Sequence, residues 1–88
     1  MVQVVAVGAD ESRLRRWIVV YLAVLVGQDS DAIDIDIPFR HFDLDSVDAV
    51  EMASEFEKAF GYAIGPEFFL NGDTTVRDMA GDLVHRGG

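Results

Sequence analysis

Three stretches of this chain space their large apolar residues three and four positions apart, a period that puts them on one face of an α-helix. In the first, Leu14, Trp17, Ile18, Tyr21, Leu22 and Leu25 follow Asp10, Glu11 and Ser12 and stop before Gly27, which predicts a helix over 12–26. In the second, Ala49, Met52, Ala53, Phe56 and Phe60 predict a helix over 46–60, ended by Gly61. In the third, Val76, Met79, Ala80, Leu83 and Val84 follow Thr74 and Thr75, either of which can cap; Thr75 has Asp78 three residues on, a variant of the capping box. Pro66 can open a short helical turn through Glu67, Phe68, Phe69 and Leu70 before Asn71 and Gly72 break it. The expected class is all-α, a four-helix bundle of three longer helices and one short one. Residues 85–88 are expected to fray.

The connections are less regular. Val2, Val4, Val5 and Val7 are too few and too isolated to pair with anything later, so residues 1–11 read as a flexible lead-in. In the long acidic connection of residues 28–45, Ile33, Ile35 and Ile37 alternate with Asp34 and Asp36, which predicts an extended segment with its isoleucines turned inward. Pro38 forbids a helix there, and Phe39 and Phe42 look like anchors to the core. An ordered loop this long is usually functional. The first helix carries no charge beyond Arg16, and Val19, Val20, Ala23 and Val26 lie opposite its Ile18 and Leu22 stripe. A helix apolar all round is covered on more than one side, by the lead-in or by a partner, so this face is where an otherwise monomeric chain could self-associate.

At 88 residues the chain is one domain, expected over 12–86 with a tail at 87–88, and too short for most enzyme architectures. It has no cysteine, so no disulfide scaffold and no thiolate metal site. Its 16 acidic residues against 7 basic ones give a net charge of −9, a surface that repels nucleic acid and anionic membrane and attracts basic protein surfaces. The longest apolar run, residues 17–26, is about half a membrane span. No secretory signal is visible, and the expected location is cytoplasmic.

The long loop ends at Asp45 and Ser46, at the start of the second helix. A helix N-terminus has unpaired N–H groups and a positive dipole end, which suit a phosphate or another anion. Ser46 could therefore be a cap, shared with Asp45, or a point of attachment. Other chemistry finds little support. An EF-hand counted from Asp29 would need glycine and glutamate where Asp34 and Arg40 stand. Asp34 and Asp36 resemble the paired aspartates of phosphate-transferring hydrolases, but the chain is too short for such a scaffold. His41 and His85 lack a second nitrogen ligand, and His41, five residues before Ser46, reads as a loop residue. There is no glycine-rich phosphate loop. Neither a metal site nor catalytic residues are expected.

The order of these features resembles an acyl carrier protein over about residues 14–84: Asp45-Ser46-Val47 at a helix start, an acidic second helix, the approach Pro38-Phe39-Arg40-His41-Phe42, and Thr74-Thr75-Val76 opening the last helix. The short Pro66-Glu67-Phe68-Phe69-Leu70 helix is most similar to carriers of polyketide synthases. The resemblance implies a 4′-phosphopantetheine arm, taken from coenzyme A by a separate phosphopantetheinyl transferase and joined to Ser46 as a phosphodiester. Its thiol would carry acyl groups as thioesters between an acyl-loading enzyme and a ketosynthase or other synthase enzymes. Asp45, Val47, Asp48, Val50, Glu51, Ser54 and Glu55 would form the surface these partners read. The family commonly has glycine where Asp43 stands; if the backbone there needs a positive φ, aspartate is a tolerable substitute. Peptidyl carriers show a glycine-rich run before the serine, absent here, so an acyl cargo is expected over an aminoacyl one. An unmodified acidic helical interaction module is the alternative of another class.

Overall fold

The three apolar periods become three helices. The computed structural model describes residues 11–87: α1 is Glu11–Val26, α2 is Ser46–Phe60 and α3 is Val76–Gly87, with 3₁₀ turns at Ser30–Ala32, Phe39–Phe42 and Pro66–Leu70. The described residues contain no strand, and the class is all-α. The expected lead-in over residues 1–10 lies outside the described residues, while Glu11 already belongs to α1. The glycine stops operate as anticipated. Gly27, at φ 72°, lets the Gln28 N–H reach back to the Ala23 carbonyl at 2.9 Å, and Gly61, at φ 85°, donates to the Glu57 carbonyl at 2.8 Å. At the far end the fraying expected from His85 does not occur, since α3 stays helical through Gly87.

The stripes meet in one core. Leu14, Ile18 and Leu22 from α1, Met52 and Phe56 from α2, Phe69 from the third 3₁₀ turn, and Val76, Met79 and Leu83 from α3 are all fully buried. α1 packs along α3, and the Pro66–Leu70 turn packs on α2. Phe56 is the hub: its ring meets Trp17 at 5.5 Å, Phe60 at 4.8 Å, Tyr62 at 5.2 Å and Phe69 at 6.4 Å between centroids. Burying a phenylalanine is worth about 1.5–3 kcal/mol, and each well-placed ring pair adds about 0.5–1.5 kcal/mol. Tyr62 finds a place for its hydroxyl by donating to the Leu83 carbonyl at 3.0 Å, which ties the loop after α2 to α3.

Two expectations need correction. The face Val19, Val20, Ala23 and Val26 is not a free apolar surface: Ala23 is buried, and Val19 and Val26 are partly buried against the core. What covers it is the chain itself. The Ser30–Ala32 turn packs on α1, and Ala32, Ile37 and Phe42 line an open pocket beside Val26. Only Val20 remains exposed of the four, with Val24 beside it. Nor is the isoleucine segment extended throughout, although its isoleucines do turn inward. Ile33 is buried and Ile35 and Ile37 partly so, but Asp34 accepts the Asp36 N–H at 2.9 Å and folds the chain into a turn there. The turn is then clamped to α3. The Arg77 N–H donates to the Ile35 carbonyl at 3.1 Å, and its guanidinium grips the Asp36 carboxylate at 2.7 and 3.1 Å. The guanidinium's hydrogen bond holds the Asp36 carboxyl below the usual carboxylate range.

Candidate functional site

The approach to Ser46 is fixed by backbone contacts that cross the molecule. The Phe39 ring is buried, its N–H donates to the Thr74 carbonyl at 2.6 Å, and the Arg40 N–H donates to the Gly72 carbonyl at 3.1 Å. Arg40 reinforces this with its side chain, reaching the Asp73 carboxylate at 2.7 Å and the Gly72 carbonyl at 3.3 Å. Glycine is needed at 72, because a Cβ there would lie 2.8 Å from the Cβ of Arg40. So stitched, the 3₁₀ turn Phe39–Phe42 ends at Asp43, whose N–H donates to the Arg40 carbonyl at 3.1 Å. Asp43 has φ 57° and ψ 44°, the left-handed region. The residue that breaks the resemblance thus sits where the backbone does need a positive φ.

From Asp43 the chain turns into α2 through Asp45, which is the N-cap. Its carboxylate accepts the Asp48 N–H at 2.8 Å, the Asp48 carboxylate accepts the Asp45 N–H at 3.4 Å, and the Asp45 carbonyl accepts the Ala49 N–H at 3.0 Å. This capping box makes Asp45 the cap. Ser46 is the first helical residue, exposed, its hydroxyl without a hydrogen-bond partner among the described residues. The N–H groups of Ser46 and Val47 have no intrahelical acceptor, so an anion joined to the serine oxygen would meet donors and the positive end of the dipole. Beside the approach, Arg40, Asp43, Leu44, Leu70 and Gly72 line an open cleft over the buried Phe39 and Phe69 rings.

Among the described residues no side chain hydrogen-bonds to the Ser46 hydroxyl. His41 is exposed in its turn and makes no hydrogen bond to Ser46. Among the described residues no group of three or more histidines, aspartates or glutamates could hold a metal ion, and no helix is long and apolar enough to cross a membrane.

The expected reading surface is brought together only in part. Asp45, Val47, Val50, Glu51, Ser54 and Glu55 are exposed, with Val47 at 63% and Val50 at 54%, large values for valine. Asp48 is half-buried because its carboxylate serves the cap. Val50, Glu51, Ser54 and Glu55 share a shallow groove with Tyr21 of α1, a residue the helical period assigned to the core stripe. Tyr21 sits at the edge of that stripe, half-buried; a phenol among aliphatic neighbours is the sequence signal that its tip reaches water. Partial burial, then the charges of Glu51, Glu55 and Asp48, raise its pKa above the usual value for tyrosine.

Comparison with known proteins bears on this geometry. Residues 16–83 match the protein family described as "Phosphopantetheine attachment site". The fold is similar to the solution structure of an acyl carrier protein from Anabaena sp. PCC 7120 with a variant phosphopantetheinylation-site sequence, at a TM-score of 0.77 and 23% identity, over 98% of this chain and 98% of that one. A search of curated proteins found no match.

Proposed function

Since the chain belongs to the phosphopantetheine attachment-site family, whose cofactor is a covalently held 4′-phosphopantetheine, we propose that Ser46 is the residue of attachment and that the chain works as an acyl carrier. The observation that carries this is the division of labour at the start of α2: Asp45 satisfies the helix, and the Ser46 hydroxyl stands exposed and unbonded beside unpaired N–H groups. Those groups fit a phosphodiester. The serine oxygen would attack the pantetheine-side phosphorus of coenzyme A on a transferase that supplies metal and a base to take the serine proton, breaking the pyrophosphate link, forming the phosphodiester and releasing adenosine 3′,5′-bisphosphate. The bound arm supplies a thiol that holds acyl groups as thioesters. The protein's own contribution is non-catalytic: it presents the serine and steadies the phosphate.

The domain of residues 12–86 would act as a monomer in the cytoplasm, visiting a phosphopantetheinyl transferase, an acyl-loading enzyme and a ketosynthase or related synthase in a polyketide or fatty-acyl pathway. Asp45, Val47, Asp48, Val50, Glu51, Ser54 and Glu55 would be read by basic surfaces, giving fast, salt-sensitive and reversible encounters. Intact mass before and after incubation with coenzyme A and a broad-specificity transferase tests the proposal. The expected gain is one phosphopantetheine, abolished by Ser46→Ala and slowed at low salt by charge reversal at Glu51 and Glu55. A folded chain that gains no mass would refute it and favour an unmodified interaction module.

A further inference from the structure

The groove that Tyr21 shares with α2 is not accounted for by an acidic helix face alone. The Tyr21 ring is held by Trp17, stacked at 5.1 Å between centroids and 24° between planes, and Trp17 in turn meets Phe56 and Phe60 edge-on at 5.5 and 5.9 Å. The ring is therefore braced by the core of the bundle. Its hydroxyl has no hydrogen-bond partner among the described residues, although it lies in the field of Glu51, Glu55 and Asp48. Lys58 pairs with Glu55 at 3.2 Å on an exposed pair, while Glu51 has no ion pair among the described residues and keeps the groove negative. Val50 adds an exposed apolar floor.

An aromatic ring, two carboxylates one helical turn apart, a free phenol oxygen and an aliphatic floor are together a receptor for a cation with an apolar stem. Every polar group that the groove offers can accept a hydrogen bond. Arginine has five N–H donors in a planar fork, no acceptor, and a weakly hydrated face that stacks on rings, whereas lysine is a compact, strongly hydrated point charge. Glu51 and Glu55 are about 7 and 13 Å along α2 from Ser46, close enough for one partner to seat a side chain here while its active site engages the serine.

We propose that Tyr21 extends the partner-reading surface from α2 onto α1, and that its groove with Val50, Glu51, Ser54 and Glu55 seats an arginine of the transferase that modifies Ser46. This rests on the carrier function proposed above. Tyr21 here determines partner affinity and takes no part in the chemistry of transfer.

The test is steady-state modification by coenzyme A and a broad-specificity transferase, with KM for the carrier and kcat measured separately and the fold checked by circular dichroism. Tyr21→Leu should raise KM about three- to tenfold with kcat within twofold, the range expected for losing one exposed cation–ring contact and its hydrogen bond. Tyr21→Phe, which keeps the ring, should raise KM by about twofold. Combining Tyr21→Leu with Glu51→Gln should raise KM by less than the product of the single effects, because both residues would hold one guanidinium. Should Tyr21→Leu melt below the assay temperature, Tyr21→Phe decides alone. A modified wild type whose KM is indifferent to Tyr21, or single effects that multiply, would overturn this proposal while leaving the carrier function intact. A wild type that gains no mass would overturn both.

Discussion

Asp43 offers a clean measurement of backbone energetics beside the serine. It is exposed, its side chain has no partner among the described residues, and its role is conformational: φ 57°, ψ 44°, with the N–H bonded to the Arg40 carbonyl at 3.1 Å. The left-handed region costs a residue with a Cβ about 1–2 kcal/mol, less for aspartate, whose short polar side chain is tolerated there. Glycine removes that cost but loses about 0.4–1 kcal/mol more chain entropy on folding. Asp43→Gly should therefore be neutral to slightly stabilising, by about 0–1 kcal/mol. A β-branched residue is a steric outlier at positive φ, so Asp43→Val should lose about 1–2 kcal/mol. For a domain of this size each kcal/mol moves Tm by about 4–8 °C, which predicts a fall of about 4–16 °C for Val and a rise of at most about 8 °C for Gly. Asp43→Asn, which removes the charge and keeps the left-handed tolerance, should melt with the wild type. Thermal melts by circular dichroism give the order Gly ≥ Asp ≈ Asn > Val. A Val variant as stable as the Gly variant would refute the assignment of the cost to the backbone. A lowered Asn variant would instead trace it to charge.

Phe56→Ala removes the ring on which four others converge and should cost about 3–5 kcal/mol, a large part of the 4–13 kcal/mol expected for a chain of this length, whereas Phe56→Leu should cost much less. Urea titration checks both, and an Ala variant within about 1 kcal/mol of wild type would contradict the hub. Asp36 has its carboxyl held low chiefly by the Arg77 hydrogen bond, so its contribution is present above the unfolded carboxylate range and is lost as pH falls through the lowered folded value. In urea midpoints below about pH 4, Asp36→Asn should lose less stability than wild type on further acidification; parallel curves would dissociate the pair from stability.

Much of this fold was legible because its helices are amphipathic and locally stopped. Ala49, Met52, Ala53 and Phe56 are buried where the 3.6-residue period put them, and α2 begins and ends at the expected residues. The capping residues could be named as types but not assigned, because Asp45 and Ser46 can both cap and only the geometry shows which side chain meets the Asp48 N–H. Thr75 was settled the same way, by accepting the Asp78 N–H at 3.1 Å. In the long loop local signals compete. Alternating isoleucines suggest an extended, inward-facing segment; the isoleucines do turn inward, but the Asp34 carboxylate folds the backbone into a turn that Arg77 then holds.

The sequence by itself determined an acidic all-α chain, the bounds of α2, and a serine at its start, because helical period, glycine stops and charge are encoded within a few residues of one another. Tertiary structure decided what depends on distant partners. It placed residues 39–40 against residues 72–74 and so set the left-handed turn at Asp43, folded the long loop over the second face of α1, and brought Tyr21 beside Glu51 and Glu55. None of these contacts is written in a local pattern. Each follows from which surfaces remain apolar or unpaired once the helices have packed, and that is a property of the whole chain.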